Sequence, residues 1–328
     1  NPGYANRLLG LPKEAVADEE RAKLEAMKSR LEKGQPLVGN HFFYRHLQMM
    51  HRRPDYYIDV KMNSPLVGGI ETFAGAHPGN LSFGDGVTTL LRHGDEYRAL
   101  HTPYDLTQSL WRYRSLSGTT QNNYESANPD GCNNPDRYRG GGGARAGGVS
   151  DGEFGHCGFE FVHGTRLRKL YAFTETGMVV LAAGIDGDKP SPAGDYSYRT
   201  NLNQCALQGD VSIVDGQGQA TAITTDELER TVRLQLDRKY WIELHGIGYL
   251  VIPTGAERGR GQPGELVVRT SLRTPLNRLA AEIMDNPKMA PYKERCQKAA
   301  DATPPRQAKV LEIWIDHGTA APKGASAA

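Results

Sequence analysis

From Asn40 to the C-terminus the apolar residues of this chain recur at every second position, in short runs separated by turn residues. Tyr56, Ile58, Val60 and Met62 alternate with Tyr57, Asp59, Lys61 and Asn63, the pattern of a strand with one buried face. Further strand signals lie at 87–91, 159–162, 170–174, 178–182, 211–214, 240–244, 249–252, 266–272 and 310–315. Two of the intervals are tight turns, Glu175-Thr176-Gly177 and His245-Gly246, so the runs on either side read as hairpins. A chain patterned this way buries its apolar faces sheet against sheet. The expected fold is mainly β, a large antiparallel β-sandwich.

Composition agrees. With 38 Gly and 19 Pro among 328 residues, turns are frequent. At roughly 150 residues per domain the length suits one large or two ordinary domains. The 39 Lys and Arg against 38 Asp and Glu leave a net charge of +1, which offers no global reason to expect nucleic acid or a membrane as partner, so any anion site has to be local. No apolar run reaches the ~18 residues of a spanning helix. Cys132, Cys157, Cys205 and Cys296 stand far apart without a CxxC pair, which argues against zinc and leaves free thiols and disulfides both open.

Three segments depart from the strand pattern. After a leading coil, 1–12, residues Glu14 to Lys33 read as one amphipathic helix with Val16, Leu24, Met27 and Leu31 on a stripe, Glu19 placed to pair with Lys23, and Gly34 as its stop. Residues 122–148 are polar and glycine-dense and read as a long loop, functional or disordered, in which Tyr124, Tyr138 and Arg139 are available to a ligand. No Gly-Lys-Ser/Thr follows, so it is not a phosphate-binding loop. A second short helix is expected from Pro275 to Asp285. The run 310–315 is followed by a turn with no partner strand after it.

Between Asn40 and Tyr57 the chain packs together Asn40, His41, Tyr44, Arg45, His46, His51, Arg52, Arg53, Tyr56 and Tyr57. Guanidinium groups offer paired donors to carboxylates and sulfates, and aromatic rings stack on sugar faces. Phe42, Phe43, Met49, Met50 and half the tyrosines read equally well as core, with Arg52 and Arg53 at its rim. Glu71, in a loop that also carries His77 and Asn80, is placed to orient a catalytic base or bind a substrate group, with Asn80 supplying an amide.

The run His51-Arg52-Arg53-Pro54-Asp55-Tyr56-Tyr57, then Glu71, Gly84-Asp85-Gly86, Trp111 with Tyr113, Gly118-Thr119-Thr120, Asn203-Gln204, His245-Gly246-Ile247-Gly248-Tyr249 and Ile315-Asp316-His317-Gly318, resembles family 8 polysaccharide lyases, in that family's order. The resemblance covers nearly the whole chain from Gly39. It implies a supersandwich preceded by the last helix of an α/α toroid otherwise lying upstream. Residues 1–38 would then be the terminal helix and linker of the toroid domain and 39–328 the β-sandwich domain, truncated at its C-terminus. The implied reaction is β-elimination at C4 of a uronic acid, with no cofactor, on an acidic polysaccharide outside the cytoplasm, by a secreted or periplasmic protein. A toroid Tyr and His would move the protons. By the resemblance Glu71 is the catalytic-site residue the sandwich contributes, and Asn40, Arg52, Arg53, Asn80 and Trp111 are the expected substrate contacts.

Departures narrow what transfers. The family's Glu-x-x-Asn-x-Glu-Asn becomes Glu71, Ala74, Ala76 and His77, so polar positions facing substrate are lost and only Asn80 realigns after a shift. Arg112 and Arg114 stand where some members carry acidic cation ligands, so no metal is expected. The lost positions also suit a non-catalytic carbohydrate-binding sandwich. A glycoside hydrolase would need a second carboxylate with a motif of its own, which is not found.

Overall fold

The computed structural model describes residues 7–34, 37–67, 83–100, 110–112, 115–122, 142–162, 165–187, 197–253, 264–274, 306–318 and 325–327. The expected helix at 275–285 lies outside them, as do Cys132 and Cys296. The helix expected from Glu14 to Lys33 is broken: a 3-10 turn, Lys13–Ala15, is followed by an extended Val16, and α1 then runs Asp18–Glu32. Acidic residues open α1 and Arg30 closes it, as the helix dipole favours. Lys23 pairs with Glu19 at 2.8 Å, and Gly34 ends the helix with φ +66°. The leading segment is not all coil. Residues 7–9 are helical, and Arg21 Nη1 donates to Leu9 O at 2.8 Å.

The strands in chain order are β1 (Gly39–Phe43), β2 (Gln48–Arg52), β3 (Tyr57–Lys61), β4 (Val87–Leu91), β5 (Thr120–Asn122), β6 (Gly142–Ser150), β7 (Gly155–Val162), β8 (Thr165–Phe173) and β9 (Met178–Gly187). They continue as β10 (Tyr198–Ala206), β11 (Val211–Asp215), β12 (Ala220–Ile223), β13 (Thr231–Gln235), β14 (Tyr240–Leu244), β15 (Ile247–Val251), β16 (Glu265–Arg273), β17 (Ala308–Asp316) and β18 (Ala325–Ala327). Every pairing is antiparallel. Four sheets result: β1-β2-β3-β4, β18-β9-β8-β7-β6, β13-β16-β17-β10-β5 and β12-β11-β14-β15. The expected antiparallel β-sandwich is therefore the fold.

Period-two patterning decides which faces meet. In β8 the residues Thr165, Leu167, Lys169, Tyr171 and Phe173 turn inward while Arg166, Arg168 and Leu170 turn out. In β3, Ile58 and Val60 face in and pair with Leu90 and Thr88 of β4. Met49, Val60, Phe159, Tyr171, Ile242, Leu266 and Ile313 belong to one continuous buried cluster drawn from all four sheets. Burying side chains of this size contributes about 1.5–3 kcal/mol each.

Two expectations about irregular segments change. Part of the expected loop 122–148 is strand: β6 pairs with β7, and its glycines are needed for the approach. A Cβ on Gly148 would lie 2.8 Å from Cys157 Cβ, and one on Gly143 would strike the Glu160 side chain. Without side chains to alternate, such a strand carries no period-two signal. A strand also follows the run 310–315, since β18 forms; it pairs with β9 rather than β17.

Candidate functional site

Glu71 and Asn80 lie outside the described residues, but both ends of the segment that carries them are described. Beyond β3, Met62 and Asn63 are buried, and Asn63 Nδ2 donates to Asp85 Oδ1 at 2.8 Å. Gly86 N donates to Lys61 O at 3.0 Å, and Ser64 bridges to Val67. The chain carrying Glu71 therefore leaves and re-enters the sandwich at one place. Gly86 (φ +86°) and Gly118 (φ +84°) make this base possible: a Cβ on Gly86 would meet the Tyr171 hydroxyl and the Phe159 ring, and one on Gly118 would meet Thr88 and Gly86 O.

Beneath the base stands Lys169, 4% exposed, its Nζ donating to Gly118 O at 2.5 Å. Burial pushes its ammonium down to about 7, while Asp85 pulls the other way. Tyr171, on the same inward row, donates its hydroxyl to Gly86 O at 3.3 Å. His317 Nε2 lies 2.9 Å from Thr200 Oγ1, which also meets Thr120 Oγ1 at 2.9 Å. Burial pushes His317 down to about 4 against the pull of Asp316, and Lys169 adds to the lowering, so the imidazole is neutral at pH 7. The base thus rests on a neutral imidazole and an amine that changes charge near neutrality.

Asn40 and Arg53 come together at the turn 151–154. Asn40 is buried, takes Gly152 O on its backbone N–H at 2.9 Å, and places Nδ2 3.3 Å from His51 Nδ1. With that nitrogen accepting, His51 Nε2 carries the proton and donates to Thr174 O at 3.0 Å. Burial holds this imidazole below its usual range. Arg53, 3% exposed, donates from Nη2 to Glu153 O at 3.0 Å, sets Nε 3.2 Å from Glu175 Oε2 and lies 4.5 Å over the Phe154 ring. Arg52, next in the chain, is exposed.

Trp111 belongs to another neighbourhood. It stacks on Tyr97 at 5.7 Å and packs against Leu100, Leu110 and Val310. Arg112 N donates to Gln204 Oε1 at 2.8 Å, and Gln204 also accepts from Arg273, which lies 2.8 Å from Glu312. Cys157 and Cys205 are free and buried, each thiol pushed up to about 12 by burial. Among the described residues no group of three or more His, Cys, Asp or Glu is placed to hold a metal ion, and no helix is long and apolar enough to cross a membrane.

Sequence reading missed Lys169, His317 and the Asn63–Asp85 contact. Lys169 was accessible to it: a lysine between Leu167 and Tyr171 occupies a core position of the period-two row. His317 and Asn63 meet their partners only through long-range packing.

A family profile described as polysaccharide lyase family 8, super-sandwich domain, matches residues 38–328. The chain is 27% identical over 230 residues to a chondroitinase-AC of Pedobacter heparinus, covering 66% of this chain and 28% of that protein. Among solved structures it is similar to a chondroitinase AC lyase studied as oligosaccharide complexes, with TM-score 0.64 and 20% identity over 99% of this chain and 42% of that one. It is also similar to a xanthan lyase of Paenibacillus, with TM-score 0.60 and 17% identity over 93% of this chain and 26% of that one. The chain thus spans less than half the length of these relatives.

Proposed function

Because the chain belongs to polysaccharide lyase family 8, we propose that it forms the sandwich wall of a cleft in an exported enzyme that cleaves a uronic-acid polysaccharide of hyaluronan or chondroitin type by β-elimination. The observation that carries this reading is the family match across 38–328. In the reaction the C5 proton leaves, the C4–O bond to the leaving sugar breaks, and a C4–C5 double bond forms. That proton is weakly acidic until the adjacent carboxylate is neutralised by donors, so the wall has to present donors to an anion.

In this proposal Glu71 orients the proton-transfer residues, a Tyr and a His contributed by an α/α toroid of the same protein. Asn80, Arg52 and Trp111 meet the polymer, while Asn40 and Arg53, both buried, hold the turn behind Arg52. The experiment is to incubate the protein with hyaluronan, chondroitin, chondroitin sulfates, xanthan and alginate and follow ultraviolet absorbance from the new double bond, beside a Glu71→Ala control. Absorbance that rises with a uronate polymer and is lost in the control supports the reading. No unsaturated product from any polymer, with the toroid present, refutes it.

The replacement of polar positions after Glu71 by Ala74 and Ala76 favours a second reading, a sandwich that grips the polymer without cutting it. Retained polymer binding without product separates that case.

A further inference from the structure

A cavity of about 530 Å³ opens between the sheets. Its volume falls in the range that holds small organic ligands. Asp55, Glu175 and Thr176 line it and are exposed, so it communicates with solvent on that side. Its walls are mostly apolar, including Ile58, Leu90, Leu202 and Val251.

The polar groups that reach it are largely occupied. Tyr171 donates to Gly86 O, Tyr97 contacts Asn203 Oδ1 at 3.3 Å, and Tyr249 accepts from Asn203 Nδ2 at 2.5 Å. Lys169 differs. Its ammonium is a three-donor group, it is 96% buried by the complement of its 4% exposure, and its one hydrogen-bond partner among the described residues is Gly118 O. Among the described residues no carboxylate lies within ion-pair reach of it, and Asp85 acts on it through its field. Among the described residues this buried cation has no paired anion, which is unfavourable, and an anion entering the cavity would remove that penalty.

We propose that this cavity binds a small amphipathic monocarboxylate, its carboxylate on Lys169 Nζ and its hydrocarbon body against Ile58, Leu90 and Leu202. The apolar walls select against a sugar acid, whose many hydroxyls would be left without partners. Lys169 is the buried cation of the lining, while Arg92, also there, is exposed and donates to Gly246 O, so one carboxylate matches the buried charge. Lys169 lies on the core face of β8, under the base of the Glu71 segment.

Calorimetric titration of the protein with hexanoate, hexanamide and glucuronate tests this. Hexanoate is expected to bind saturably at one site, with hexanamide roughly tenfold or more weaker, the difference one charge-assisted hydrogen bond supplies. Lys169→Met should bring hexanoate down to the hexanamide affinity. In the unaltered protein, hexanoate should slow reductive methylation of Lys169, mapped by mass spectrometry, without slowing that of the exposed Lys239. The second measurement stands even where the variant fails to fold. Hexanoate affinity unchanged by Lys169→Met, methylation of Lys169 indifferent to hexanoate, or glucuronate binding more tightly than hexanoate would each overturn the proposal.

Discussion

Asn63 donates its side-chain amide to Asp85 across a gap of 2.8 Å, and that hydrogen bond joins the two ends of the chain segment carrying Glu71. Asn63 is 2% exposed, so the contact is shielded from competing water. Asn63→Ala removes the bond and should lower stability by about 1 kcal/mol. In the proposed lyase it should lower kcat/KM by roughly tenfold, since small displacements of a positioned group act strongly on rate. Steady-state kinetics beside urea unfolding check this. Activity unchanged in a variant that has lost the expected stability would show that the base does not position Glu71.

Lys169 makes stability depend on pH in a predictable direction. Its pKa is about 7 in the folded protein against an ordinary 10.5. Between those values the unfolded chain holds a proton that the folded chain has released, so stability rises with pH across that window and is lowest below pH 7. Lys169→Met removes this dependence. It should stabilise the protein on the order of a few kcal/mol at pH 6.5 and much less at pH 10. Unfolding in urea at the two values measures the difference, and an equal effect at both would contradict the burial of a chargeable amine.

Glu312, 4% exposed, is held between Arg273 and Arg269. Burial alone would raise its pKa, but the two guanidinium groups hold it below its ordinary 4.5. The contribution of this carboxylate is therefore present above pH 4.5 and is lost as pH falls through the lower folded value. Glu312→Gln leaves two cations facing a neutral amide and should cost about 3–5 kcal/mol at neutral pH. The gap between variant and parent should narrow under acid, which denaturant titrations at pH 7 and pH 3.5 would reveal.

Arg52 is exposed at the end of β2 and pairs in register with Tyr57. Arg52→Ala should leave the unfolding midpoint unchanged, because an exposed charge contributes at most about 1 kcal/mol. It should weaken chondroitin binding, with the loss largest at low salt and shrinking as ions screen the polymer charge. Equal binding by variant and parent at low ionic strength would remove Arg52 from the polymer-facing wall.

Gly118 has φ +84°, and a Cβ there would meet Thr88 and the Gly86 carbonyl. Gly118→Ala should destabilise by more than the ~1 kcal/mol of an ordinary strained turn, since backbone rather than a flexible side chain blocks it. Thermal unfolding checks this directly, and a variant as stable as the parent would mean the base of the segment is not closely packed.

Alternation of apolar residues was enough to locate β3, β4, β11, β14 and β17 and to identify the hairpins at 174–177 and 245–246, because pleating alone sends successive side chains to opposite faces. It failed at β6, where glycine leaves nothing to alternate, and at Val16, whose extended backbone interrupts an otherwise helical stretch. The ordered motifs carried the family and pointed to Glu71 through resemblance. Which polar residues meet was settled elsewhere. Asn63 and Asp85 are 22 positions apart, Lys169 and Gly118 51, and Thr200 and His317 117. No local periodicity encodes such pairs. Arg52 and Arg53 make the point most simply: adjacent in sequence, Arg52 ends β2 and is left to solvent, while Arg53, just past the strand, is buried against Glu153, Phe154 and Glu175. Local stereochemistry dictates strands and turns; the burial that turns an arginine into a strut, or a lysine into an anion site, exists only once the sheets have closed on one another.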